Sequence, residues 1–244
     1  MRTLRAIGRL TAVALHVLHG LLIVLLRFGA LGPAERQQRI GWWSRGLLQR
    51  LGIALELQGT PHAGATLLVA NHVSWLDISA IHAVCPQARF VSKSEVRHWP
   101  LIGRLVEAAG TLFIEREKKR DAMRVMHQMA EALQAGDTVA VFPEGTTGDG
   151  HALLPFHGNL LHAAITTATP VQPVALRFAD AHAPVSAAAA YIGDTTLLQS
   201  LWMIASAEGL RVRVQLLPAV SSAGAERRTL APQLAELIGA ALDR

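Results

Sequence analysis

Beyond residue 51, short apolar runs alternate with longer segments in which apolar residues recur every three or four positions. The short runs, rich in Val, Ile and Leu, predict buried strands, and the longer segments predict helices. Because helices separate several of the strands, the pattern indicates an α/β fold whose central sheet is mainly parallel or mixed and is flanked by helices. The predicted strands are 53–58, 66–70, 89–92, 111–114, 138–142, 171–177, 188–192 and 211–217, and the predicted helices are 76–84, 118–134, 158–168, 196–207 and 226–242.

The N-terminal residues follow a different pattern. Leu10–Leu26 carries no formal charge and is close to the shortest segment that can cross a bilayer. From Arg36 to Leu51, apolar residues recur every three or four positions with arginines between them, which is typical of a helix at a membrane interface. We therefore expect a hydrophobic and amphipathic helical membrane arm at 1–51, followed by a domain at 52–244. A signal peptide is the alternative for the first segment, and an ordinary helix packed on the core is the alternative for the second.

The charge distribution also separates the arm from the domain. The formal net charge is +5, but residues 1–50 contain eight arginines and one acid, Glu35, so the rest of the chain is slightly acidic. This distribution argues against a nucleic-acid-binding face on the domain and for contact between the arm and an anionic membrane surface. The single Cys85 excludes an internal disulfide, and the histidines show no His-Glu-x-x-His spacing, so we predict no metal site.

The most informative polar residues come where predicted strands end. His72 and Asp77 follow the strand 66–70, on a strand-to-helix turn, and such turns place side chains at the mouth of an α/β sheet. A histidine that is oriented by an aspartate can accept a proton from a hydroxyl near neutral pH. Considered alone, the pair has a solvated surface turn as its alternative interpretation.

Three further charged residues follow strands. Lys93 and Arg116 each come after a predicted strand, where a cation can bind a phosphate. Glu144 lies on the turn after the strand 138–142, where its carboxylate can accept hydrogen bonds from substrate hydroxyls. The alternatives are a surface arginine for Arg116 and a solvated turn acid for Glu144.

Four segments, in this order, resemble the sequence blocks of the glycerolipid acyltransferase family, whose bacterial members acylate 1-acylglycerol-3-phosphate. The resemblance covers about residues 66–178, and the segment 110–116 is similar to the family's strand that ends in an arginine. Taken together and in order, the blocks are much more specific than any one of them. The blocks are Asn-His-Val-Ser-Trp-Leu-Asp at 71–77, the segment from Phe90 to Gly103, Phe-Pro-Glu-Gly-Thr at 142–146 and Val-Gln-Pro-Val at 171–174.

The resemblance implies transfer of an acyl group from a thioester to an alcohol at a membrane surface. The co-substrate would be acyl-CoA or acyl carrier protein, with no cofactor and no metal. His72 would be the base that deprotonates the acceptor hydroxyl, and Asp77 would fix its tautomer. Backbone amides near Gly145 could stabilise the oxyanion. The implied acceptor-binding residues are Lys93, Arg116, Glu144, Gly145, Thr146 and Thr147.

The sequence departs from the family's pattern after the third block. Phosphatidate-forming members usually continue with Arg-Ser, whereas this chain has Thr147 followed by Gly-Asp-Gly. Because an arginine can bind a phosphate through two parallel hydrogen bonds, its replacement weakens the expected selectivity for a phosphomonoester. We expect 1-acyl-sn-glycerol-3-phosphate as the acceptor, giving phosphatidate. Lyso-ornithine lipid, which has no phosphate, is the alternative, because the variant block is similar to branches that acylate it.

Two other classes of function are disfavoured by the sequence. A lipid or thioester hydrolase would need a nucleophile elbow, and Gly-x-Ser-x-Gly does not occur in the chain. A non-catalytic membrane adaptor would need no His–Asp pair. Since acyl thioesters are made in the cytosol, we expect the arm to hold the enzyme at the cytoplasmic face of the inner membrane, which also argues against a signal peptide.

Overall fold

The computed structural model describes residues 2–114 and 119–243. Within these ranges the chain forms seven strands and eight α-helices, with short 3-10 helices at Phe28–Ala30, Ser94–His98 and Gly158–Leu161. The strands are β1 (Ala54–Gln58), β2 (Thr66–Ala70), β3 (Arg89–Lys93), β4 (Leu112–Ile114), β5 (Thr138–Val141), β6 (Val171–Ala179) and β7 (Arg211–Leu216). The helices are α1 (Arg2–Leu26), α2 (Pro33–Leu51), α3 (Leu76–Val84), α4 (Ile102–Ala108), α5 (Lys119–Gln134), α6 (His162–Thr167), α7 (Leu197–Ser206) and α8 (Arg227–Leu242).

The seven strands form one sheet in the order β1-β7-β6-β2-β5-β3-β4. Every pairing is parallel except that of β6 with β7. The predicted α/β fold with a mainly parallel, mixed sheet is therefore confirmed. Since β2, β5, β3 and β4 run in the same direction, their carboxyl ends meet at one edge of the sheet, and β2 is buried along its whole length.

Helices cover the sheet on two sides, each with its own apolar core. One core joins β2 and β6 to α2, α3 and α7, through residues such as Leu48, Leu76 and Ile204. The other core joins the sheet to α5, α6 and α8, through residues such as Met129 and Leu234. This three-layer arrangement is the one that the alternating pattern of strands and helices predicts.

The helix α1 packs along one side against α2, α4 and α7. Its buried residues, Ala6, Val13, His16 and Gly20, form a stripe at intervals of seven, three and four. Most of the remaining surface of α1 is exposed and apolar. Of the helices in the described ranges, α1 is the one whose length and composition would allow it to cross a membrane.

Local sequence defines the ends of α2. The helix begins with Pro33 at its first turn, where the N–H that proline lacks would have no intrahelical partner. The carboxylate of Glu35 accepts a hydrogen bond from the N–H of Gly32 at 2.9 Å. The helix ends at Gly52, which adopts the left-handed conformation with φ of 76°.

The apolar stripe of α2 faces the domain. Leu47 and Leu51 are buried in the first core, and Trp43 is partly buried against it, because α2 packs on α3. The stripe that we assigned to a membrane interface is therefore a core contact, which is the alternative interpretation given above. The division between an arm at 1–51 and a domain at 52–244 stays a prediction.

Arginines of the N-terminal helices bind backbone carbonyls at helix ends. Arg9 donates to the carbonyls of Ala205 and Ala207 at the end of α7, at 3.0 and 2.9 Å. Arg36 donates to two carbonyls of the Phe28–Ala30 turn, and Arg45 donates to Ala83 at the end of α3. Cations are favoured there because carbonyls at a helix C-terminus carry partial negative charge. Much of the positive charge that we assigned to lipid therefore holds helices together.

Two segments differ from the sequence prediction. Residues 188–192 are not a strand, because three of the five are alanines of low strand propensity, and the side chains of Ala189 and Ala190 pack into the core from a turn. The polar turn expected after β3 instead contains the 3-10 helix Ser94–His98 and the helix α4. The Pro and Gly residues at 100 and 103 favoured a turn but did not exclude a short helix between the strands.

Candidate active site

The turn after β2 is fixed first by Asn71. This residue is buried, its amide donates to the carbonyl of Leu176 at 2.9 Å, and its carbonyl oxygen accepts from the N–H of Leu176 at 2.7 Å. These two side-chain bonds extend the pairing of β2 with β6 by one residue. The role of Asn71 was not predictable from the sequence, because its partner lies 105 residues away.

His72 and Asp77 form a hydrogen-bonded pair at the carboxyl edge of the sheet. Nδ1 of His72 lies 2.7 Å from Oδ2 of Asp77, which is fully buried, while the imidazole is 19% exposed. The same oxygen accepts hydrogen bonds from the N–H groups of Val73 and Ser74, at 2.7 and 2.9 Å. Because Asp77 acts as the acceptor, Nδ1 carries the proton, and Nε2 is left with a lone pair that can accept another.

The start of α3 and the turn before it position the carboxylate of Asp77. The residue lies in the first turn of α3, where the helix dipole stabilises negative charge. Its three donors include two backbone N–H groups of the turn that precedes the helix. The five-residue spacing of the pair thus corresponds to a strand, a tight turn and the start of a helix.

The imidazole of His72 rests on an aromatic ring. Phe142, from the third sequence block, stacks on it with a centroid distance of 4.0 Å and an interplanar angle of 10°. Phe90 stacks in turn on Phe142 at 5.7 Å. This contact restricts the tilt of the imidazole and covers one of its faces. Phe142 belongs to the third sequence block, but its contact with the histidine was not predictable from the motif.

Glu144 is buried and binds backbone groups of two segments. Its Oε1 accepts from the N–H of His72 at 2.7 Å, and its Oε2 accepts from the N–H of Leu154 at 2.9 Å. Burial raises the pKa of Glu144 above its ordinary value, and the two hydrogen bonds oppose that rise. In this arrangement the carboxylate holds the His72 backbone. The predicted contact between Glu144 and a substrate hydroxyl stays a prediction.

The residues after Glu144 tie the third block to the first. Gly145 adopts the left-handed conformation, with φ of 74°, as the turn requires, and its N–H donates to Phe142. Thr146 is exposed, whereas the hydroxyl of Thr147 donates to the carbonyl of Tyr191. The N–H of Gly148 donates to the carbonyl of His72 at 2.8 Å.

Tyr191 lies in the stretch that we wrongly predicted as a strand. Its N–H donates to the carbonyl of Val73 at 3.0 Å, and its carbonyl accepts from Thr147. This residue therefore bridges the turn after β2 and the loop after β5. Such a contact involves single backbone groups of distant segments, so the sequence pattern contained no sign of it.

The predicted phosphate-binding cations follow β3 and β4. Lys93 is exposed at the end of β3, opposite Ile114 of β4, and its side chain forms no hydrogen bond or ion pair within the described ranges. Arg116 lies outside the described residues.

The N–H of His157 donates to the carbonyl of Pro143 at 2.9 Å, which places this residue beside the third block. In the described ranges, no group of three or more His, Cys, Asp or Glu residues could hold a metal ion.

Comparison with known proteins agrees with this geometry. The chain is 40% identical over 207 residues to a lyso-ornithine lipid O-acyltransferase of Pseudomonas aeruginosa, covering 85% of this chain and 79% of that protein. It is 39% identical over 199 residues to a 1-acyl-sn-glycerol-3-phosphate acyltransferase of Neisseria meningitidis, covering 80% and 77%. The crystal structure of PlsC, the 1-acyl-sn-glycerophosphate acyltransferase of Thermotoga maritima, has the same fold, with a TM-score of 0.76, 21% identity and coverage of 100% of this chain and 97% of that one.

The family model named Acyltransferase matches residues 55–177. The matched region contains the four sequence blocks and both members of the His72–Asp77 pair. Together with the two relatives, which resemble the chain over most of its length, this match decides its classification. The chain belongs to the acyltransferase family.

Proposed function

We propose that this acyltransferase moves a fatty acyl group from acyl-CoA or acyl carrier protein to the free hydroxyl of a lysolipid. The observation that carries the proposal is the His72–Asp77 pair, in which Nε2 of an oriented, partly exposed imidazole is free to accept a proton. The acceptor alcohol itself is the nucleophile, so no serine or cysteine nucleophile is needed.

The proposed reaction has two steps. His72 Nε2 takes the hydroxyl proton as the acceptor oxygen attacks the thioester carbonyl, and a tetrahedral oxyanion forms. Collapse of this species breaks the carbon–sulfur bond, and the leaving thiolate takes the proton back from the imidazolium. Asp77 stabilises the imidazolium between the two steps. Backbone amides near Gly145 are the proposed oxyanion donors, and no metal or cofactor takes part.

The proposed acceptor is 1-acyl-sn-glycerol-3-phosphate, which would give phosphatidate. Lys93 and Arg116 are the proposed partners of its phosphate, and Glu144 with Gly145, Thr146 and Thr147 would line the acceptor site. Lyso-ornithine lipid is the second candidate. One observation favours it: position 147 holds a neutral threonine, so it supplies no cation for a phosphate. The hydroxyl of Thr147 donates instead to the carbonyl of Tyr191. Relatives of nearly equal identity carry each of the two names.

The same structure supports attachment to one membrane leaflet. Because α1 packs along one side on α2, α4 and α7, a crossing of the bilayer would carry these elements and their polar groups into hydrocarbon. We therefore place α1 along the membrane surface, with its outward leucines among the acyl chains. The cytoplasmic face of the cell membrane is the proposed side, since acyl thioesters are cytosolic.

The purified enzyme tests the function directly. We expect His72→Ala to lower the rate of transfer by about 10²–10⁴, because general-base assistance contributes that factor. Thiol release from the thioester and formation of the diacyl product would be followed together, with each of the two lysolipids in turn. A near-UV circular dichroism spectrum like that of the wild type shows that the variant is folded, and co-sedimentation with vesicles should not change.

Two results would contradict the proposed reaction, and a third measurement decides between the two acceptors. Transfer that survives His72→Ala would refute the assigned base. Thiol release that is equally fast without lysolipid would indicate a hydrolase. Turnover of lysophosphatidate alone would exclude the ornithine lipid candidate, and turnover of lyso-ornithine lipid alone would exclude the phosphate one.

A further inference from the structure

Exposed apolar side chains cluster on the helices that adjoin α1. On α7, Leu198 is 79% exposed, and Trp202 and Met203 are also exposed. The opposite side of α7, including Ser200 and Ile204, is buried in the core. Because α7 packs directly on α1, its outward residues extend the apolar surface of α1 beyond the N-terminal arm.

A second neighbour of α1 shows the same feature. Trp99 and Leu101, which precede α4, are both exposed, and α4 also packs on α1. The backbone of Leu101 has φ of 64°, a region that is costly for a large side chain. Strained residues persist where function retains them. Here the strain presents a leucine to the outside of the protein.

The charges on α1 and α2 suit an anionic membrane, whereas the exposed acids Asp194 and Glu208 flank α7. The helices α1 and α7 contain no acidic residue. The side chains of Arg2 and Arg27, at the two ends of α1, and of Arg39 on α2 form no hydrogen bond or ion pair within the described ranges. The one acid of α2, Glu35, is bonded to the N–H of Gly32. An apolar surface with tryptophans and free arginines at its margin is typical of contact with a lipid leaflet.

We propose that α7 and the segment 99–101 join α1 in a single membrane-docking face that inserts into one leaflet containing anionic lipid. This proposal rests on the membrane attachment described above and extends it to the domain itself. Contact at three elements, rather than at one helix, fixes the rotation of the domain about α1. The carboxyl edge of the sheet, with His72, would then keep one orientation toward the leaflet that supplies the lysolipid.

The test compares binding to vesicles of phosphatidylcholine and phosphatidylglycerol by co-sedimentation. One variant, Leu198→Gln with Trp202→Gln, removes the α7 contact, and a second, Trp99→Gln with Leu101→Asn, removes the other. The matched control, Met123→Gln with Leu237→Gln, replaces equally exposed residues on α5 and α8, which cover the opposite side of the sheet. We expect each test variant to bind roughly tenfold more weakly and the control to bind as wild type.

Activity on a short-chain lysolipid that is soluble as a monomer separates docking from catalysis. We expect the test variants to retain this activity and to lose activity on vesicle-borne acceptor. If the wild type transfers no acyl group at all, the function proposed above is wrong. The co-sedimentation comparison still tests the docking face in that case.

Wild-type protein offers a readout that does not depend on a disruptive variant. Vesicles containing brominated phosphatidylcholine should quench its tryptophan fluorescence, and Trp202→Phe should remove part of that quenching. Trp75→Phe, which replaces a partly buried tryptophan, should not. Unchanged vesicle binding in both test variants would overturn the proposal. The proposal would also be overturned if the test variants lost self-association and kept vesicle binding. In that case the face would bind a second copy of the chain.

Discussion

At the scale of single residues, one carboxylate oxygen organises the turn around the proposed base. Asp77 Oδ2 accepts from the imidazole of His72 and from two backbone N–H groups, while Oδ1 is buried without a partner among the described residues. The ring and the backbone that carries it are thus oriented by the same atom. Any shift of Asp77 would move both, so the turn and the histidine should tolerate change poorly.

Glu144 supports the same turn from the other side, and Glu144→Gln tests its role. A glutamine has only one acceptor oxygen, and its NH2 group can only donate. The N–H of either His72 or Leu154 would therefore face this NH2 group and lose its acceptor. An unsatisfied buried donor costs about 1–3 kcal/mol, and we expect kcat to fall by roughly 10- to 100-fold. Steady-state kinetics with varied acceptor would separate this effect from a change in KM.

Glu236→Gln, on the exposed surface of α8, is the matched control for the loss of one carboxylate and should leave the kinetics unchanged. A Glu144 variant that raises KM for the acceptor but keeps kcat would argue for the substrate contact predicted from the sequence. That result would count against the positioning role.

His82 predicts how stability depends on pH. Burial lowers the pKa of His82 to about 4, and its Nε2 lies 2.8 Å from the carbonyl of Ala88. Between pH 6.5 and 4 the unfolded chain therefore binds a proton that the folded chain does not. The free energy of unfolding should be highest above pH 6.5 and fall by about 1.4 kcal/mol per unit within this window.

Denaturant unfolding of wild type and His82→Gln at several pH values would measure this dependence. We expect the pH slope of the variant to be smaller by about one proton, since glutamine keeps the hydrogen bond to Ala88 but does not titrate. Equal slopes would show that other groups cause the acid sensitivity.

At the scale of elements, the contact between α1 and α2 depends on glycine. A Cβ at Gly20 would lie 2.3 Å from Nε1 of Trp43, and one at Gly46 would lie 2.8 Å from the ring of His16. The two helices approach closely there. His16 Nε2 lies 2.9 Å from the carbonyl of Trp43, whose Nε1 donates to the carbonyl of His16. His16 and Trp43 therefore join the two helices through two hydrogen bonds.

Gly20→Ala and Gly8→Ala make a matched pair within α1. Nothing lies within 4 Å of a Cβ at Gly8, so Gly8→Ala should stabilise the helix by up to about 1 kcal/mol. The same change at Gly20 gains as much helix propensity but must displace Trp43, and we expect a net loss of about 1–3 kcal/mol. Thermal unfolding in detergent would compare them, and a melting temperature that rises in both variants would refute the close contact.

At the scale of the whole molecule, the periodic pattern predicted the layers but not the contacts between them. The strands β2 and β5 were predictable because each is a short run composed almost entirely of apolar residues, and the polar residues that follow them include His72 and Glu144. The inward orientation of Glu144 and the bridge at Tyr191 were not, because they join backbone groups far apart in the chain.

The same limit explains why arginines of the N-terminal helices were assigned to lipid. A run of arginines beside apolar residues is compatible with either lipid or helix ends as its partner, and composition does not distinguish them. Only the packed chain shows that Arg9 reaches the end of α7, 196 residues further on. The excess of arginine in residues 1–50 is a property of the sequence, whereas Arg9, Arg36 and Arg45 bind backbone carbonyls and not lipid.

The distance between Arg9 and its partners has a consequence during synthesis. At about 5–20 residues per second, a ribosome needs roughly 10–40 s after making Arg9 to reach Ala205. Throughout that interval α1 is present while α7 does not yet exist, so its packing stripe and its outer leucines are exposed together. Arg9 can therefore reach its carbonyl partners at the end of α7 only late in synthesis.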